Sequence, residues 1–414
     1  MEKKCPRLRY DLEFIPVSQE GMRAVLVKDP LGLTPGSLLI KGELLAFVSL
    51  LDGTNAVDDI QLILTRKRGG IIFSRGDVER MLEELEEAFL LDGPRYTAEK
   101  EKRAADYLRQ KERAPALAGR AYPKEASELR KFITDILADG EAGSNGGKIR
   151  ALIAPHIDLY VGRGVYAQAY ASIQNMSPRR IVLLGTGHGL RNGVVCFTEK
   201  DFRTPLGLVR TDAETAFRMK NKAAQIASPD DLAHRSEHSL EFQLLFLQVL
   251  FGSDFTLLPL LMGAFGEDLQ KASRPREVEG IAVFLENMRE YINEDSRETL
   301  VVAGVDLSHI GPKFGHESPA PALIWEAKRH DEALLRAIEQ GDPLSFWEAN
   351  RKVRDRFNVC GFSVLAFLLE LFSGFPAQLL AYDVWHEEAT ESAVSFAALI
   401  VQENSRNQGG QIEG

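Results

Sequence analysis

Apolar and polar positions divide the chain into two textures. Up to about residue 97 the apolar runs are short, and turn signals separate them. Glu43 to Leu51 has the spacing of a short helix ended by Asp52-Gly53, and Thr54 is placed to cap a second helix from Val57 to Arg66. Gly69-Gly70 turns the chain, Ile71-Ile72-Phe73 reads as a short strand, and Ser74 starts a third helix. In that helix, Val78 to Leu91, the residues Val78, Met81, Leu82, Leu85 and Phe89 share one face. The pattern predicts a small α+β winged-helix-like domain over residues 1–97. A charged run, AEKEKRAADYLRQKE (98–112), has few apolar anchors and reads as a solvated helical linker.

From Arg113 onward the runs lengthen and alternate. Ile149–Ala154, Ile181–Gly185, Thr256–Leu261, Thr299–Val305 and Gln378–Tyr382 read as buried strands. Helical spacing falls between them, at Gly164–Ile173, Glu241–Phe251, Val278–Asn293 and Phe362–Phe372. This alternation predicts one α/β domain over 113–404, with a mostly parallel central sheet flanked by helices. The polar stretch 405–414 is expected to fray.

Composition narrows the function classes. The chain has 414 residues, 44% hydrophobic and 27% charged, which suits a globular fold of two domains. A net charge of −10 argues against nucleic-acid binding through bulk positive charge. The acidic third helix, with Glu79, Glu83, Glu84, Glu86 and Glu87, argues against a DNA-reading winged helix. Three cysteines, Cys5, Cys196 and Cys360, do not make a disulfide framework and suit a reducing, cytoplasmic setting. No apolar run follows the basic N-terminal residues, so no signal peptide is expected. Glu370, Gly374 and Pro376 interrupt the apolar stretch from Gly361 to Val384, so no membrane span is expected either.

The candidate chemistry sits where strands end. RALIAP leads to His156 and Asp158, RIVLLGTG leads to His188, and LVVAGV leads to Asp306 and His309. In open α/β sheets, ligands gather outside the carboxyl ends of strands. Three such ends delivering histidine predict a shared site. The glycines around His188 lack a following Gly-Lys-Ser/Thr, which disfavours a phosphate loop. Cys360 precedes an apolar helix, where the helix dipole favours a thiolate. Glu237, His238 and Glu241 open another helix, either as a capped start or as supports around the pocket. Cys196 reads as a structural thiol, and His234, His316, His330 and His386 as ordinary surface or loop residues.

Two resemblances follow from these motifs. LLDGTNAVDDIQLIL and DVERMLEELEEAFLLDG loosely resemble small peptide-carrying proteins of the PqqD type. ALAGRAYP (116–123), LIAPHIDLYVGRGVYAQAY (152–170), LLGTGHG (183–189), RTPLG (203–207), EHSLEFQLLFLQ (237–248), GVDLSH (304–309), CGFSVLAFLL (360–369) and ESAVSFAAL (391–399) together resemble the Memo family. Bacterial members of that family are often named protein B of the AmmeMemoRadiSam gene cluster. The resemblance implies a fold like that of class III extradiol dioxygenases, which use non-haem iron. It implies His156, His188 and Cys360 as metal ligands, with a cysteine where the dioxygenases have glutamate. It implies His309 as the acid/base residue, with Asp306 beside it. APHIDL and GTGHG depart from the family's usual wording and so alter the pocket walls.

A His₂Cys set suits iron or copper, with zinc as the alternative, and leaves a position open for substrate. The expectation is a metal-dependent redox enzyme acting on a small molecule or modified peptide. A radical SAM enzyme and other products of the same gene cluster are its expected partners. Two alternatives stay open: a vestigial scaffold that binds a peptide or protein, and a zinc-dependent hydrolase.

Overall fold

The structure is a computed structural model that describes residues 3–19, 22–34, 36, 38–67, 73–141, 147–294 and 298–403. The expected Gly69-Gly70 turn, the Ile71-Ile72 strand and the 405–414 tail lie outside those residues.

The N-terminal part begins with a three-stranded antiparallel sheet, β1 (Glu13–Gln19), β2 (Met22–Lys28) and β3 (Leu38–Lys41), in that order. The sequence reading did not anticipate it. Helices α1 (Gly42–Val48), α2 (Val57–Lys67), α3 (Arg75–Glu87) and α4 (Pro94–Leu108) follow. Phe47, Ile60, Val78 and Leu85 meet in one apolar core. Ser74 and Asp77 form a capping box that starts α3 three residues before the expected Val78. Phe89 then takes φ 56°, so this helix stops short of Leu91. Thr54 does not cap α2: its N–H and hydroxyl both donate to Asp52 Oδ1, at 2.8 and 2.6 Å. α4 buries Tyr96 and Tyr107. Its Arg103 donates to the carbonyl oxygens of Leu31 and Gly32, at 3.3 and 3.0 Å.

The remainder is built on one large sheet. In chain order its elements are β4 (Glu112–Arg113), α5 (Ala126–Leu137), β5 (Lys148–Ala154), α6 (Arg163–Ala171), β6 (Arg180–Thr186), β7 (Val195–Phe197), β8 (Asp201–Thr204) and β9 (Gly207–Thr211). There follow α7 (Ala213–Lys222), α8 (His238–Phe251), β10 (Thr256–Met262), α9 (Asp268–Lys271), α10 (Ile281–Glu294), β11 (Thr299–Gly304) and β12 (His309–Ile310). The chain ends in α11 (Ala320–Glu339), α12 (Pro343–Val353), α13 (Phe362–Leu371), β13 (Ala377–Glu387) and β14 (Ser392–Glu403).

The strand order is β12-β14-β5-β11-β6-β10-β9-β8-β4, with β13 on β14 and β7 on β10. Strands β5, β11, β6, β10 and β9 run parallel. The central strands are parallel as expected, and the margin adds antiparallel neighbours: β14 is antiparallel to β5, and β13 to β14, so the large sheet as a whole is mixed. Residues alternate cleanly between the two faces. Ala151, Ile153, Val182, Leu184, Val301 and Ala303 face one core. Leu152, Ala154, Ile181, Leu183, Leu300 and Val302 face the other. Both faces are covered by helices, which is why these strands read as unbroken apolar runs. No helix of the described residues is long and apolar enough to cross a membrane.

Candidate metal centre

The neighbouring parallel strands β5, β11 and β6 end side by side and deliver His156, Asp306 and His188. Two helix starts complete the ring. Glu237 is the N-cap of α8, and Cys360 lies just before α13. The ligand atoms of His156, His188 and Cys360 all fall within 4.8 Å of one another.

His156 is held on both sides. Its Nδ1 lies 2.9 Å from the Gly304 carbonyl, which fixes the proton on that nitrogen. The opposite nitrogen, Nε2, is therefore a lone pair, 3.3 Å from Cys360 Sγ. The Asp306 carboxylate accepts from the backbone N–H of His156 and Ile157, at 2.9 and 3.2 Å. Gln243 Nε2 donates to the Pro155 carbonyl at 2.8 Å and pins the same turn. Gly304 is needed here, since a Cβ would lie 2.3 Å from the Ser239 carbonyl oxygen.

His188 and His238 share one carboxylate. Glu237 accepts from His188 N at 3.0 Å and lies 3.1 Å from its Nδ1. The same side chain accepts from the N–H groups of His238 and Ser239, both at 2.9 Å, and lies 3.2 Å from His238 Nδ1. The three imidazoles of His156, His188 and His238 form a triangle with centroids 4.9–5.1 Å apart. His188 keeps 41% of its side chain exposed and His238 34%, so the centre opens to solvent on this side.

Cys360 sits at the end of an unusual turn. Arg354, Asp355 and Asn358 all adopt left-handed φ, at 54°, 54° and 48°. Asp355 Oδ1 accepts from Val359 N inside the turn and from Asn350 Nδ2 of the preceding helix α12. The Phe357 carbonyl accepts from His309 N at 2.7 Å, and Asn358 Nδ2 donates to the His309 carbonyl at 3.3 Å. The thiol itself faces the Asp306 carbonyl at 3.6 Å.

His309 starts β12. Its Nδ1 lies 3.0 Å from the Leu307 carbonyl, and its ring meets Phe314 edge-on at 4.8 Å.

Burial sets most of the electrostatics. It lowers His156 well below the usual histidine range, with His238 and His188 adding repulsion. It also lowers His309, to about 4. It raises Asp306 to about 6, against the hydrogen bonds from the His156 and Ile157 backbone. At His188 burial opposes the charged form, but the Glu237 carboxylate outweighs it and raises the imidazole. Glu237 correspondingly stays well below the usual carboxylate range despite burial. Burial raises the Cys360 thiol, and His188 partly offsets this.

Not every residue singled out in the sequence joins the centre. Glu241 is fully buried in a separate network: it pairs with Arg113, accepts from the N–H groups of Ala116 and Leu117, and takes a hydrogen bond from Tyr122. Asp158 is exposed and accepts from Tyr160 N at 2.9 Å. Two histidines expected at the surface are buried instead. His234 packs against Phe202 with Nε2 3.1 Å from the Cys196 carbonyl, and His330 lies 3.1 Å from Asn350 Oδ1. Each finds one polar partner in the interior, but among the described residues His234 Nδ1 is buried without one, so the burial of His234 is only partly compensated. His386 is exposed as expected. What sequence reasoning missed is the sharing of Glu237 by His188 and His238. The acidic N-cap before a histidine was visible, but its contact with His188 spans 49 residues.

The family model for Memo-like proteins matches residues 113–400, which include all the residues of the centre. A MEMO1 family protein of Aquifex aeolicus is 29% identical over 95% of this chain and 100% of its own length, so the likeness extends into the N-terminal part. A MEMO1 family protein of Thermus thermophilus is 31% identical over 81% of this chain and 96% of its own. One of Pyrococcus abyssi is 32% identical over 70% of this chain and 99% of its own. An uncharacterized protein of known structure from Escherichia coli K12, JW3007, is a distant likeness, with a TM-score of 0.39, 16% identity and cover of 61% of this chain. On the family match and these relatives, the chain belongs to the Memo family.

Proposed function

We propose that His156, His188 and Cys360 hold one non-haem metal ion, iron or copper, and that the protein is a metal-dependent redox enzyme. The observation that carries this reading is the convergence of three ligand atoms within 4.8 Å, with the far nitrogen of each imidazole already held by the protein. That arrangement fixes the tautomer and aims the lone pair inward, as metal-binding histidines require. A thiolate with two imidazoles is a donor set suited to these ions. When bound, such an ion supplies Lewis acidity and electron transfer at an open position.

The surrounding residues then have distinct tasks. Gly304 and Asp306 orient His156, and Glu237 orients His188. His309 is neutral near pH 7, because burial lowers it to about 4, and its Nδ1–H is taken by Leu307. Its Nε2 is therefore available to accept a proton from a substrate in the cleft. The substrate is a small molecule or modified peptide, in a pathway that also uses a radical SAM enzyme.

Protein purified without oxygen and loaded with ferrous or cuprous ion tests the reading. It should bind about one equivalent, and His156→Ala and Cys360→Ala should abolish it. Undiminished binding by either variant would overturn the ligand assignment. The thiolate also favours a second reading, zinc-dependent hydrolysis at the same residues. Zinc in oxygen-free preparations, with no oxygen consumption by the loaded protein, would decide for it.

A further inference from the structure

The antiparallel pair α11 and α12 leaves a groove of about 840 Å³ that shares no residue with the metal centre. On α11 the groove is lined by Trp325, Arg329, Ala333 and Arg336, whose spacing keeps them on one helical face. At 1.5 Å per residue this stripe is about 17 Å long. The groove is therefore a trough, long for its volume. Ala333, Ala337 and Ala349 line it with small side chains, which lets another backbone come close. Apolar side chains stand exposed at its two ends, Trp325 at 66% and Leu344 at 48%.

Charge gives the trough a sign. Its two acids are already paired: Glu326 with Arg356 at 2.8 Å, and Glu348 with Arg351 at 2.5 Å. Arg329 lies over the Trp325 ring at 4.9 Å, and neither it nor Arg336 forms an ion pair among the described residues. Lys352 reaches Glu348 only at 3.9 Å. A positive strip thus remains on a chain of net charge −10.

We infer that this trough is a docking site for an acidic amphipathic helix of a partner protein. The helix lays an apolar stripe on Trp325, the alanines and Leu344, and its flanking Asp and Glu side chains meet Arg329 and Arg336. The length of the trough and its apolar ends suit a three-turn segment better than a compact anion. Contact between the cations and the acidic flanks selects the partner and makes association sensitive to salt.

The test is selection of displayed random helical peptides on the full chain, with counter-selection on the Arg329→Glu/Arg336→Glu variant. These residues are exposed on the helix surface, and matching circular dichroism melts confirm that the variant folds. Enriched peptides should carry Asp or Glu beside an apolar i, i+3/4, i+7 spine. Their affinity should fall roughly tenfold in the charge-reversed variant, in Trp325→Ala, and on raising salt. The inference is overturned if no enriched peptide depends on these residues, or if the enriched peptides lack acidic flanks. It is overturned equally if sedimentation shows a dimer that Arg329→Glu dissolves, because a second copy then fills the trough. Displacement of the peptides by inorganic phosphate alone would also overturn it, in favour of a simple anion site.

Discussion

Cys360 Sγ lies 3.3 Å from His156 Nε2, although 204 residues of chain separate them. A thiol and an unprotonated imidazole nitrogen this close form a mixed soft donor pair without rearrangement. His188 completes the set from the end of β6, with β11 between it and the strand that delivers His156.

The first prediction concerns that thiol. In cobalt-substituted protein, Cys360 should give a thiolate-to-metal charge-transfer band in the near ultraviolet. Cys360→Ser should lose the band and weaken metal binding by more than the roughly 10–100-fold typical of losing a supporting contact. A band that persists in the variant would place the thiolate elsewhere.

Glu237 is such a supporting contact. Glu237→Gln keeps the size of the side chain but removes the charge that holds His188 Nδ1. Metal affinity should drop roughly 10–100-fold with the stoichiometry unchanged. Competition against a chelator of known strength measures this, and affinity equal to the parent's would sink the role.

Glu241 should behave differently, because its partners are structural. Glu241→Gln breaks the buried pair with Arg113, and leaving one buried charge uncompensated costs about 3–5 kcal/mol. The unfolding midpoint should fall by several degrees, while the folded protein binds metal as the parent does. A lowered metal affinity without lowered stability would reverse this division of labour.

The stability of the metal-free protein should depend on pH through His234. Burial lowers its pKa to about 4, from an ordinary 6.5. The folded state favours the neutral ring, so this contribution is complete above pH 6.5 and is lost as pH falls toward 4. The interval corresponds to about 3 kcal/mol. His234→Asn should flatten the fall in denaturant midpoint between neutral and acid pH. An unchanged slope would show that other groups carry it.

Much of this architecture was legible in the sequence. The core strands read as unbroken apolar runs because both faces are covered, and the boundaries of β5, β6, β10 and β11 fall within about two residues of the expected ones. The meeting of His156 and His188 was legible for a related reason, whereas Cys360, which precedes α13, was placed with them only by the resemblance to the Memo family. Parallel strands bring their carboxyl ends to one edge, so residues just beyond them gather there. The rest depends on contacts that no local pattern records. Glu241 has the same spacing to His238 whether it faces a pocket or Arg113, and Arg113 lies 128 residues away. His234 and His330 looked like loop residues because their interior partners, the Cys196 carbonyl and Asn350, come from other elements. β13 reads like a buried strand but joins the sheet margin as half of a hairpin with β14. A run of apolar residues does not reveal the direction of its neighbour.

The turn before Cys360 has a mechanical consequence. Arg354, Asp355 and Asn358 are wound left-handed, and the span is cross-braced by Asp355. Non-glycine residues resist leaving or entering that conformation smoothly, so the turn acts as a stiff bracket. One end of the bracket holds the thiol, and its middle is bolted to the main chain of His309 through Phe357 and Asn358. Any push on Cys360 is therefore felt at His309 with no hinge between them. An insertion or deletion in this short span would therefore disturb both the thiol at its end and the hydrogen bonds that tie it to the His309 main chain.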